Sequence, residues 1–300
     1  MTIKRTLVST LALAVTVLTG TVQAQELPVP PPTVQHLKPA LWKVADTDTT
    51  IYLFGTVHVL PKNLVWFDGP VASALDASEQ LITEIPDVPD AEQQKAVMAV
   101  GLLQGGTLRS LLGKDERAAY EALLTRLKIP ADAFDAFEPW LAGVTLGTMP
   151  YALAGYGEDD GAESVLRKAA LAKGKKEGAL ETVGFQLGLF DSLPRQAQLR
   201  FLNEAVSDFD KAMPLIGAMM QHWGAGEPDA LAAVLNDEMD DPAMSEALLY
   251  QRNRDWATWI AMRLNQPGQV FVAVGAGHLA GEKSVQDVLK QKGIAAERVQ

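Results

Sequence analysis

The sequence predicts an α/β fold: a central mixed sheet built from both chain ends, packed by helices, with a long helical insertion. Three observations predict it. Short strand-like segments cluster between residues 41 and 85, and an uninterrupted apolar run of strand length lies at residues 269–274. Between them, residues 90–265 are rich in Ala, Leu, Glu, Lys and Gln, with apolar positions three and four apart and Pro or Gly as punctuation. With 300 residues, 48% of them hydrophobic and 21% charged, the chain can bury a sizeable core and does not have a disordered composition.

Residues 1–24 have the layout of a secretory signal peptide. Lys4 and Arg5 precede an apolar run from Leu7 to Leu18, and Val22 and Ala24 offer small residues before a cleavage point. A permanent anchor is the rival reading, but the run is shorter than the roughly 20 residues needed to span a bilayer. No stable membrane span is expected after cleavage, and the expected location is periplasmic or secreted. Residues 25–39, with Pro28 and three consecutive prolines from Pro30 to Pro32, read as an extended arm. The remaining domain, residues 40–300, begins with strands at 41–44 and 50–55 around a turn at 45–49. A helix at 70–78 and a strand at 80–85 follow. A short strand is expected at 178–182, with Thr182 as the N-cap of the next helix. After the 269–274 strand come a helix at 284–292 and an edge segment formed by 293–294 and 298–299.

Composition also excludes functions. The formal charge is −11, and removing Lys4 and Arg5 with the leader makes it −13. This acidity argues against a nucleic-acid partner, which needs clustered Lys and Arg. With no cysteine, disulfides, thiolate metal sites and cysteine nucleophiles are absent. Walker, Rossmann, nucleophile-elbow and His-Glu-x-x-His motifs are also missing.

Two of the four histidines share a context. His58 and His278 each follow an apolar strand in a Gly-x-x-His pattern, beginning at Gly55 and Gly275. Ligands of open α/β sheets bind beyond the carboxyl ends of strands, so a site is expected there. Gly55, Gly275 and Gly277 would let the backbone turn sharply and approach a ligand. An imidazole in that position suits a divalent metal or a base near neutral pH; the plain alternative is a strand-end hydrogen bond. Glu84 ends a strand at the same edge and completes a metal triad or acid–base group, or is a surface carboxylate. Arg252 and Asn253 would steady a substrate or intermediate, or form a solvent face opposite Trp256 and Trp259. Glu163 and Glu181 are weaker candidates, and His36 and His222 read as structural.

Taken in order, residues 41–44, 52–58, Glu84, 179–186, 251–256 and 274–281 resemble the TraB/GumN family across residues 40–300. The resemblance implies a fold like that of erythromycin-esterase and ChaN-like proteins. It also implies kinship with TIKI-type divalent-metal-dependent peptidases, whose paired Gly-x-x-His motifs and Glu correspond to Gly55, His58, Glu84, Gly275 and His278. Where the family often carries Gly-x-Asp, this chain has Gly161-Ala162-Glu163. The expectation is a metal-dependent hydrolase of the cell envelope, with manganese, cobalt or zinc held by His58, Glu84 and His278 and a peptide or small-molecule substrate. The alternatives are a binding protein for a peptide, metal or haem, and a scaffold with structural histidines.

Overall fold

The computed structural model describes residues 35–236 and 242–300; the segment read as a signal peptide and most of the proline-rich arm lie outside them. The strands are β1 (Gln35–His36), β2 (Leu41–Ala45), β3 (Thr49–Thr56), β4 (Leu64–Val65), β5 (Gln80–Thr83), β6 (Lys176–Ala179), β7 (Gly268–Gly275) and β8 (Glu297–Arg298). Six of them form one sheet in the order β6-β5-β7-β3-β2-β8, so both chain ends supply it, as expected. β7 lies between β3 and β5, and β6 flanks β5, all parallel. β2 and β8 add an antiparallel edge. The hairpin between β2 and β3 closes where Asp46 Oδ1 accepts Thr49 N–H at 2.9 Å, the side-chain mimicry of a turn expected of Asp.

Because side chains alternate across a strand, one pattern feeds two cores. Phe54, Leu81, Phe271 and Ala273 pack with Trp66, Leu75, Ile216 and Trp223. On the other face Ile51, Leu53, Ile82, Val270, Val272 and Val274 pack with Trp256, Ile260 and Leu289. β7 is therefore apolar throughout, the mark of a strand covered on both sides. The helical insertion has a third core of its own around Trp140, Phe190 and Phe201.

Several expected boundaries move. The strand expected at 80–85 stops at Thr83, which leaves Glu84 and Ile85 beyond β5, and β6 begins two residues earlier than expected. Gly293 and Ile294 are not strand; only Glu297–Arg298 pairs with β2. The end of the expected arm joins the fold, since Gln35–His36 pairs with Leu64–Val65 and Leu37 packs against Gly224. No helix among the described residues is long and apolar enough to cross a membrane.

Phe54 is fully buried, stacked on Trp66 with centroids 5.5 Å apart and in contact with Trp223 and Phe271. Phe54→Ala is expected to cost about 3–5 kcal/mol through lost burial and the cavity it leaves, read as a lower urea midpoint with an unchanged m-value.

Candidate active site

The parallel strands end at one edge, and each delivers a polar side chain just past its last residue. Glu84 follows β5, Glu181 follows β6, and His278 lies in the 3-10 turn Ala276–Leu279 after β7. Arg252 reaches them from the helix Gln251–Arg263. A five-residue π-helix, Glu246–Tyr250, widens the backbone just before it, and Leu248 O within that segment accepts Arg252 Nη1 at 3.0 Å.

Arg252 is 1% exposed and uses all five of its N–H donors. Nε and Nη2 grip Glu181 as a fork, each at 2.9 Å, and Nη2 also donates to Glu84 Oε2 at 2.6 Å. Besides Leu248 O, Nη1 meets His278 Nε2 at 3.1 Å. Burial works against the guanidinium charge, but Glu84 and Glu181 raise its pKa. Gln186 bridges the two carboxylates, 3.0 Å from each, and Trp256 Nε1 donates to Glu181 at 2.9 Å. Glu84 Oε1 accepts the Gly275 N–H at 2.7 Å.

This network sets the state of His278. Arg252 can only donate, so His278 Nε2 accepts; its Nδ1–H then donates to Asn253 Oδ1 at 2.6 Å. Asn253 is itself oriented by Nδ2 donating to Lys283 O at 2.9 Å. The ring is fully buried against Trp256. Burial, together with the charges of Arg252 and His58, pushes its pKa well below the ordinary histidine value. His278 is a neutral imidazole with both nitrogens occupied.

The other Gly-x-x-His histidine is placed differently. His58 Nδ1 is 2.8 Å from Glu163 Oε1, and the Thr56 hydroxyl donates to that same oxygen. Glu163 is delivered by the N-terminal turn of the helix Ala162–Ala172, where the helix dipole favours an anion. Ala162 N–H bonds Val57 O at 3.0 Å, and a Cβ on Gly161 would lie 2.0 Å from His58 O. Only glycine allows the helix start to approach β3 so closely. Burial opposes ionisation of Glu163, yet the charge and hydrogen bond of His58, with the Thr56 hydroxyl, hold its carboxyl below the usual carboxylate range. Its second oxygen, Oε2, is buried without a hydrogen-bond partner among the described residues.

His58, Glu163 and Glu84 line a cleft of about 990 Å³, together with Arg167, Tyr156 and Asp90. Arg252, Asn253 and His278 do not line it; they lie behind Glu84. The structure therefore divides the expected residues into a cleft-lining pair and a buried support. The glycines serve the fold as well: Gly55 lets Ala276 approach to about 3.0 Å of a Cβ position, and its carbonyl accepts Trp223 Nε1 at 2.7 Å. Gly277 packs beside Leu235, and the Gly275 N–H is committed to Glu84. Thr56, Gln186 and Arg167 were not anticipated, because each becomes legible only once distant segments meet.

A divalent cation needs lone pairs that are not already committed. His278 has both ring nitrogens committed to protein partners, Glu84 accepts protein hydrogen bonds at both carboxylate oxygens, and among the described residues no three or more His, Asp or Glu are arranged to hold a metal ion. As arranged, His58, Glu84 and His278 do not fit the metal triad expected from the sequence.

These features define an α/β protein with a His–carboxylate pair in a cleft at the carboxyl edge of its sheet. The chain belongs to the TraB/PrgY/gumN family, whose family model matches residues 40–298. It is 22% identical to an uncharacterized protein of Treponema pallidum, over 87% of this chain and 83% of that one. It is also 22% identical to Escherichia coli YbaP, over 80% and 87% respectively. A zebrafish protein named Metalloprotease TIKI2 is 27% identical over 82% of this chain but 58% of its own length. No solved structure matches.

Two outcomes follow from the network. Arg252→Met leaves Glu84 and Glu181 facing each other without their shared cation and should destabilise the protein by about 3–5 kcal/mol, seen in urea denaturation. The unfolded chain protonates His278 below about pH 6.5 while the folded chain does not. Stability is therefore retained above that pH and falls below it, by up to about 1.4 kcal/mol per pH unit. The urea midpoint should drop between pH 7.5 and 5.5, and drop less in His278→Ala.

Proposed function

We propose that this protein is a hydrolase of amide or ester bonds, peptides foremost, with His58 as the general base in the cleft. The observation that carries this reading is the 2.8 Å contact of His58 Nδ1 with Glu163 in a cleft large enough for a peptide segment. A carboxylate that fixes one imidazole nitrogen orients the ring and stabilises the imidazolium formed when the other nitrogen takes a proton. Here His58 Nε2 would take a proton from water as the water oxygen attacks the carbonyl carbon. The imidazolium would then return that proton to the departing amine or alkoxide as the scissile bond breaks. Thr56 holds the Glu163 oxygen in place, and Glu84, fixed by Arg252 and Gly275 N–H, forms the adjoining wall. Arg252 and Asn253 act as positioning residues, through Glu84 and His278.

A metal-dependent version is supported by the name of the zebrafish relative. It would require Glu84 and His278 to exchange protein hydrogen bonds for a cation. Stoichiometric manganese, cobalt or zinc in purified protein, absent from the His58→Ala/His278→Ala double variant, would replace the metal-free scheme. We also propose that residues 1–24 direct export, so that hydrolysis takes place in the envelope. N-terminal sequencing of the secreted or periplasmic protein tests this.

His58→Ala and Glu163→Gln should each lower kcat by about 10²–10⁴-fold with little change in KM, measured on a peptide and ester panel. Full activity in both variants would sink the proposal.

A further inference from the structure

We infer that the cleft selects its substrate by a cationic group, an ammonium or guanidinium carried by the peptide; this rests on the hydrolase reading above and names its substrate class. Eight of the lining residues are Asp or Glu, against Lys62, Arg167 and Lys168. Three of these carboxylates are paired with a fixed cation: Asp87 with Arg167 at 3.3 Å, Asp159 with Lys168 at 3.0 Å, and Glu84 with Arg252. Glu163 meets His58, which must be neutral to act as the base. What remains is Asp90, Glu158, Asp160, Glu163 and Glu177 against Lys62, a formal excess of four negative charges on the walls.

Two further features belong to the same walls. The pKa of the Glu158 carboxyl is pushed above the ordinary glutamate value, first by burial and then by the nearby charges of Asp90 and Asp159, with His58 pulling the other way. An entering cation would relieve that repulsion. Glu163, on the same cleft, keeps a buried oxygen in need of a donor. Apolar surface is also present: Leu171 lines the cleft while 74% exposed, and Val88 and Pro86 lie on the wall. An amphipathic stem ending in a charge, as in a lysine or arginine side chain, matches both. A concave wall of one sign concentrates counter-charged ligands and does so less as salt screens it.

The test uses fluorescein-labelled short peptides of equal length, Lys-rich, neutral and Glu-rich, each with a free or acetylated N-terminus. Binding to the full protein is read by anisotropy in EDTA at about 20 mM and about 300 mM salt. The Lys-rich peptide should bind at least tenfold tighter than the other two at low salt, and Glu158→Gln/Asp90→Asn should remove most of that preference. Loss of the preference on acetylation assigns it to the α-ammonium; its persistence assigns it to the side chains. Equal binding of the three peptides, no binding, or a preference untouched in the double variant would overturn the inference. A urea midpoint close to that of the unmodified protein shows that the double variant is folded. Hydrolysis without charge preference defeats this inference alone, whereas charge-selective binding with turnover insensitive to His58→Ala defeats the hydrolase reading alone.

Discussion

The five-donor embrace of Arg252 is the interaction on which the arrangement of this sheet edge depends. It joins Glu84 from the first third of the chain, Glu181 from the helical insertion and His278 from the turn after β7, all with their side chains largely buried. A buried guanidinium is tolerated only when every N–H is matched. The geometry therefore permits few alternatives: moving any one of the three strand ends would orphan a donor. A lysine would not substitute, because a point charge cannot fork to Glu181 while also reaching Glu84 and His278. Hydrophobic burial stabilises the sheet itself, but the register of its polar edge is set by this one side chain.

The two Gly-x-x-His segments look equivalent in sequence and are opposite in chemistry. His278 is held neutral because Arg252 occupies one nitrogen and Asn253 the other. His58 faces a carboxylate instead, with Glu163 Oε1 2.8 Å from its Nδ1. One imidazole thus closes off a buried network, and the other lines the cleft beside an acid. The cause lies in what each strand end meets: β7 ends beneath the helix carrying Arg252, whereas β3 ends against a helix N-terminus that offers Glu163.

Much of this was legible in the sequence. The α/β class and the contribution of both chain ends to the sheet follow from periodicity, and the clustering of His58, Glu84 and His278 at one edge follows from strand ends that share a direction. The helix cap at Thr182 was also legible, since its side chain accepts Phe185 N–H at 3.1 Å. The partition of roles was not. Arg252 precedes Trp256 by four residues and so shares its helix face, which argues against the solvent face opposite the tryptophans; what local pattern could not supply is its partner Glu181, 71 residues away. Glu163 looked minor because a carboxylate in a first helical turn usually serves the dipole. Its importance depends on Gly161 letting that turn touch β3, a tertiary contact without local signature. The glycines of the two motifs were expected to admit a ligand; what local pattern did not show is that Gly55 and Gly277 also admit close neighbours, Ala276 and Leu235.

The charge balance of the edge ties these parts together. Glu84 and Glu181 share one guanidinium, and neutral His278 contributes nothing, so the buried network carries one uncompensated negative charge directly behind the cleft wall. That charge lies on the same side as the unpaired carboxylates of the walls, and screening by water is weakest toward the buried side. In the proposed hydrolysis that field would act in one direction on two events. It would favour proton uptake by His58, and it would oppose an anionic tetrahedral intermediate unless a positive group accompanied it. In that scheme a substrate that brings its own cation would supply the compensation at the moment of reaction. The acidity that would make the cleft a poor place for a bare oxyanion is thus the same feature that would make a cationic substrate part of the proposed catalytic arrangement.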